Sequence, residues 1–153
     1  MKTLLLILAL VVPVSMFTAP VVYSTVKPKA SEVECLARNV YHEARGESLE
    51  GQIAVAAVTM NRLRSSKFPN SICKVVHQPY QFSWVHQLKS HLPRDKESYK
   101  QAKLVALNVI HGYYKDPTYG AVYYHKNTIR PYWLKVVKLT TVIGSHKFYT
   151  KRG

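Results

Sequence analysis

Glu43 and Glu47 stand four residues apart in Tyr41-His42-Glu43-Ala44-Arg45-Gly46-Glu47. On a helix such a pair is one turn apart, with the carboxylates roughly 6 Å from each other. A like charge at that range raises one pKa, and an apolar surround does the same. A carboxyl group kept protonated near neutral pH can protonate the leaving oxygen of a glycosidic bond. The same spacing also describes a solvated helix face, and the pair alone leaves both readings open.

Other chemistries find less support. The chain has seven histidines. His42-Glu43 matches the opening of a zincin motif, but Gly46 stands where the second histidine belongs. His86 and His91 are five apart, which is not a usual ligand spacing. No metal and no cofactor is expected. There is no C-x-x-C, so neither a zinc knuckle nor a redox motif is indicated.

The elements that must position Glu43 follow from periodicity. Val33, Leu36, Ala37, Val40, Tyr41 and Ala44 mark one face of a helix. Ser31 can cap its start, with Glu32 and Glu34 in the favourable first turn. A helical wheel puts Glu43 beside Leu36, at the edge of the apolar stripe, and His42 opposite. Gly46 is expected to end the helix in the usual C-terminal position. A second helix, from Ser48 to about Arg64, is apolar nearly all round and reads as the central buried helix. Ser71 caps a short helix through Val76. Tyr80-Gln81-Phe82-Ser83-Trp84 is too mixed to assign. Asp95 caps a further helix that Gly112 ends. Ala121–Tyr124, Val136–Ile143 and His146–Tyr149 read as strands, the last two joined by a hairpin at Gly144-Ser145. The fold class is therefore α+β, a helical lobe followed by a small antiparallel sheet.

Charge and the N-terminus narrow the partner. Of 153 residues, 22 are Lys or Arg and eight are Asp or Glu, a formal net charge of +14. No acid follows Asp116. Such a field favours a polyanion: nucleic acid, anionic lipid or anionic cell wall. Residues 1–26 have a charged start and a long apolar run, the layout of a signal peptide or a retained signal anchor. Residues 27–31 read as a linker and 32–153 as the exported domain. Export argues against nucleic acid and for the wall, periplasmic or extracellular, with a membrane tether if the segment is kept. Cys35 and Cys73 are expected to pair, since that compartment permits disulfides; two buried free thiols are the alternative. A monomer is expected.

Beyond these features, the chain resembles the SleB-type cell wall hydrolases. The resemblance rests on Tyr41–Glu47, Gly51-Gln52-Ile53-Ala54-Val55-Ala56-Ala57-Val58, Asn61-Arg62, Phe68-Pro69-Asn70-Ser71-Ile72-Cys73, Gln81-Phe82-Ser83, Tyr123-Tyr124-His125, Trp133 and Ile143–Tyr149. It implies a lysozyme- or lytic-transglycosylase-like fold that cleaves the peptidoglycan backbone between MurNAc and GlcNAc. It makes Glu43 the catalytic acid/base. A transglycosylase needs one such group, and a hydrolase needs a second carboxylate or a positioned water. The scarcity of acids near Glu43 fits the one-acid scheme. Glu47 is either a substrate contact or a structural residue at the helix end. Gln81, Phe82 and Ser83 are expected along the groove, with a packed loop as the alternative. Tyr124 and His125 are expected to hydrogen-bond a sugar, and Trp133 to stack on one or anchor the core. His146, at the hairpin, reads as structural. The role fits a bacteriophage lysis enzyme (an endolysin) as well as a bacterial remodelling enzyme. The competing class is a non-catalytic cationic protein that binds the wall or disrupts membranes.

Overall fold

The computed structural model describes residues 28–87 and 92–152. The apolar segment 1–26 lies outside the described residues. Five α-helices come first among those described: α1 Ala30–Ala44, α2 Leu49–Arg64, α3 Ile72–Val76, α4 Ser83–Gln87 and α5 Lys96–Ile110. Strands β1 Tyr123–Lys126, β2 Val137–Ile143 and β3 His146–Lys151 follow, with a 3₁₀ turn Tyr132–Val136 before β2. The sheet is antiparallel, ordered β1-β3-β2.

Local chemistry explains the ends of most helices. The Ser48 hydroxyl accepts from Gly51 N, and the Ser71 hydroxyl accepts from Lys74 N. Asp95 accepts from Glu97 N and Ser98 N to start α5. At its other end, Gly112 at φ +76° donates to Val109 O while Tyr113 N reaches Asn108 O. That double bond is the Schellman closure, which favours glycine in the left-handed region. At α1 one expectation fails and one holds in position only. The helix starts at Ala30, inside the expected linker, with Lys29 at the cap position and no side-chain bond, so Ser31 is not its cap. Gly46 follows the helix without a left-handed φ, and a Cβ there would meet open space. Here the chain turns because Glu47 N bonds Ala44 O.

The core lies around α2, as its sequence requires: Ala54 to Val58 are at most 4% exposed. Small side chains on α2 let α1, α3 and α5 approach closely. One cluster joins Leu36, Val40 and Tyr41 of α1 to Met60, Val105 and Val109, with Phe82 and Trp84 closing its side. A smaller cluster of Ala54, Val58, Ala121, Ile143 and Phe148 fixes the sheet to α2. Tyr124 packs against both. Asn39, fully buried, donates to Thr59 Oγ1 and accepts from Trp84 Nε1, so one amide ties α1 to α2 and α4. Leaving such an amide unpaired would cost about 1–3 kcal/mol. Cys35 and Cys73 are bonded, with Cα atoms 5.2 Å apart, and the bridge holds α3 to the start of α1.

The bridge closes a loop across a sequence separation of 38. Chain entropy alone assigns such a crosslink about 4 kcal/mol of stabilisation. Replacing both cysteines by serine is expected to lower the unfolding free energy by about 2–4 kcal/mol in urea titrations. A loss under about 0.5 kcal/mol would show that the helical packing holds this corner unaided.

Candidate active site

Glu43 lies on the last turn of α1, where the helix runs into the gap between the helical lobe and the sheet. It lines a cleft of about 640 Å³ and is the only carboxylate among the described lining residues. One wall is Tyr80 to Ser83 with His86; the other is Tyr124 to Lys126 with Trp133. The Tyr124 hydroxyl donates to Glu43 Oε2 at 3.2 Å. Burial raises the Glu43 pKa above its ordinary value; the Tyr124 bond and the charges of Lys126 and Arg62 pull the other way without cancelling it. The result is a carboxyl that keeps its proton to higher pH than a solvated one and faces a cleft.

Glu47 has the opposite environment. It sits beyond α1 and points to the β2–β3 turn, outside the residues that line the cleft. It accepts from Ser145 N at 3.2 Å and makes a close bond with the Ser145 hydroxyl. That hydroxyl bond is the main reason its pKa is lowered, and the Ser145 amide adds to it. Two glycines make the seat possible. A Cβ on Gly51 would fall 2.8 Å from Glu47 Cβ, and one on Gly144 would fall 2.0 Å from Glu47 Oε2. Gly144 also needs φ +55° to turn the hairpin.

The remaining expected residues come together around the cleft. Gln81, Phe82, Ser83, Tyr124, His125 and Trp133 all line it. Phe82 is buried and forms wall, while Ser83 is exposed. His125 is buried, and its ring is already bonded on both sides. Its Nδ1–H donates to Lys126 O at 2.7 Å, leaving Nε2 to accept from the Tyr149 hydroxyl at 2.9 Å. It stacks on Tyr149 and meets Trp133 edge-on, which steadies the half-buried tryptophan at the rim.

Arg62 and His146 are among the lining residues that the sequence did not assign to the groove. Arg62 is 4% exposed and lies between the rings of Phe68 and Phe82, 5.4 Å from each centroid. Its Nε donates to Val122 O at 2.8 Å, which fixes the entry to β1. Its place in the Asn61-Arg62 motif was visible, but nothing in helical periodicity separates a cleft arginine from a solvated one. His146 is 1% exposed and also lines the cleft. Its position beside a hairpin turn gave no sign that the turn folds inward.

The fold and the cleft define an α+β, lysozyme-like domain with one proton-holding carboxylate in a basic, aromatic groove. The chain belongs to the cell wall hydrolase family, whose model, described as Cell Wall Hydrolase, matches residues 46–149. That match takes in Glu47 and begins three residues after Glu43. Spore cortex-lytic enzymes of Oceanobacillus iheyensis and Bacillus subtilis are each 38% identical to it over 77% of this chain. The chain spans 41% and 37% of those two relatives, less than half of either. Among solved structures, the catalytic domain of the germination-specific lytic transglycosylase SleB from Bacillus anthracis superposes with TM-score 0.67 at 33% identity. The match covers 80% of this chain and 97% of that one. The SleB catalytic domain of Bacillus cereus gives TM-score 0.64 at 32% identity, covering 90% and 100%.

Two outcomes follow from the contrast between the glutamates. The folded state binds the Glu43 proton more tightly than the unfolded chain does. Its contribution is fully present below the unfolded value of 4.5 and is lost as pH rises through the raised folded value. Glu43→Gln removes the buried charge and keeps an acceptor for Tyr124. The variant is expected to melt above wild type near neutral pH and level with it at pH 4 or below, read by differential scanning calorimetry across pH. Equal melting temperatures at every pH would contradict the raised value. Gly144→Ala is expected to cost about 1–3 kcal/mol in chemical denaturation, because the alanine meets both the strained φ and the Glu47 carboxylate.

Proposed function

We propose that this domain cleaves the glycan backbone of peptidoglycan between MurNAc and GlcNAc, acting as a lytic transglycosylase with Glu43 as general acid/base. The observation that carries the reading is the single, half-buried carboxylate facing the cleft, with its pKa raised by burial. A hydrolase of the usual two-carboxylate kind needs a partner roughly 5–9 Å away across the substrate. Glu47, the nearest acid in sequence, is engaged by the β2–β3 turn. One group that first gives and then takes a proton suits attack by the sugar's own 6-hydroxyl, which leaves a 1,6-anhydro product. The SleB neighbour described as a lytic transglycosylase supports the same choice.

Gln81, Phe82, Ser83, Tyr124, His125 and Trp133 line the groove in which the glycan would lie. Trp133 offers an apolar face, Phe82 is buried wall, and Gln81 and Ser83 offer polar groups to sugar hydroxyls. No cofactor enters the scheme. Export by residues 1–26, as a cleaved signal or an anchor, would bring the domain to the wall, and its net charge of +14 would hold it on that anionic polymer. Among the described residues no helix is long and apolar enough to cross a membrane. The cationic charge by itself also suits a non-catalytic wall binder. Such a binder has no use for a proton-holding carboxylate in a cleft, so the enzymatic reading is the stronger one.

Purified sacculi digested by wild-type protein are expected to release muropeptides one water lighter than hydrolytic products, by mass spectrometry. Glu43→Gln is expected to lower the release rate at least about 100-fold. Equal release by both proteins would sink the acid/base assignment. Full-mass reducing ends from wild type would replace transglycosylation with hydrolysis.

A further inference from the structure

The turn between α3 and α4 carries a residue that its backbone does not favour. Gln81 N donates to Gln78 O at 3.3 Å, with Pro79 and Tyr80 between them. Proline at the second place and a left-handed residue at the third are the pattern of a type II turn, whose third place favours glycine or asparagine. Tyr80 occupies that place at φ +64°, where a side chain is strained. The ring contributes little to the core, because Tyr80 is 96% exposed.

Tyr119, also left-handed at φ +55°, gives the contrast. Asp116 holds its turn by accepting from Thr118 N and Gly120 N, and Tyr119 lies outside the residues that line the cleft. Tyr80 lines the cleft that Glu43 faces. Backbone strain kept at the rim of a cleft points to function. The His86 ring, which also lines the cleft, flanks Tyr80 at 6.1 Å. The wall that carries Trp133 adds Ile129 and Pro131, and Ile129 is 56% exposed. Both walls thus present apolar surface to water at the rim.

We propose that Tyr80 is a stacking platform for a sugar ring of the glycan strand, one that lies outside the pair of sugars being separated. The inference rests on the glycan-cleaving reading above and adds an outer binding position to it. A pyranose ring has a face of carbon-bound hydrogens that can cover the flat side of a tyrosine, while the phenol hydroxyl stays in water. The type II turn explains why strain is tolerated. It sets the direction of the side chain before the strand arrives, and a tyrosine has only two side-chain torsions left to fix. The contact is the same before and during bond cleavage, so it acts on KM and leaves kcat alone.

Tyr80→Gly separates a ligand role from a structural one. Glycine suits the turn and removes the ring. The urea midpoint is expected at or above that of wild type, and KM on long peptide-free glycan strands is expected to rise about 5-fold with kcat unchanged. A lower midpoint would mean that the fold needs the ring, and an unchanged KM would mean that the strand does not; either overturns the proposal. Tyr80→Phe keeps the ring in the same turn and is expected to restore the wild-type KM. A KM as high as that of the glycine variant would rule out stacking. Binding of the same strands to Glu43→Gln protein, with and without Tyr80→Gly, reads the platform by calorimetry without turnover. The glycine change is expected to weaken that binding about 5-fold, and equal binding overturns the proposal. Digestion of sacculi by wild type separates the failures. If wild type digests them and Tyr80→Gly matches it in KM and in binding, only the platform falls; if wild type releases no muropeptides, the underlying reading falls.

Discussion

The cleft exists because one carboxylate holds a β-turn against the end of a helix. Glu47 leaves α1 only three residues after its last turn and binds the amide and hydroxyl of Ser145. Two weakly connected lobes are thereby joined at the point where α1, the helix that carries Glu43, ends. Apart from this bond, the sheet touches the helices mainly through the small cluster around Phe148. Such a cluster resists separation but tolerates sliding, because apolar contact has no direction. A charge-assisted hydrogen bond has direction. It fixes the height of β3, and with it β1 and Tyr124, relative to Glu43.

That constraint explains residues that otherwise look unrelated. Gly51 and Gly144 are both required by the volume of the Glu47 side chain, although 93 residues separate them in the chain. Tyr124 works as a joint between the two clusters, so its hydroxyl can be aimed at Glu43 without a dedicated strut. Asn61 binds Asp116 and Ala121 O, and Arg62 binds Val122 O, so the end of α2 sets where β1 begins. The cleft is therefore framed on both sides by polar bonds that run between distant parts of the sequence.

How much of this was legible beforehand follows from which interactions are local. The 3.6-residue period of α1 and the all-round apolar character of α2 are local, and both helices lie where periodicity puts them. The Schellman end of α5 at Gly112 is local too. Ser31 misled because end signals are only preferences: Lys29 O accepts from Glu32 N and Val33 N and starts the helix earlier, and at the other end Gly46 stands just past the helix without the left-handed φ. β1 runs two residues later than expected, Tyr123–Lys126, because its register is set by pairing with β3 and not by its own propensity. The disulfide was legible from compartment and cysteine count, and the groove residues from motif resemblance. The inward fold of the β2–β3 turn depends on contacts 98 residues apart, so no local pattern could place Glu47 or His146.

Glu43 and Glu47 carry the same functional group, four residues apart, and the fold gives them opposite acidities. For Glu43 the dominant influence is removal from water, which penalises charge and is only partly offset by Tyr124, Lys126 and Arg62. For Glu47 it is donated hydrogen bonds, which favour charge more than its modest burial opposes it. Neither environment depends on repulsion between the two carboxylates, the cause that their spacing first suggested. The separation of roles comes from the chain reversing direction after Ala44 and Glu47 bonding the distant turn. An acid that burial keeps protonated to higher pH and an acid that hydrogen bonds keep ionised to lower pH can lie four residues apart because one faces a cleft and the other faces the amide and hydroxyl of Ser145.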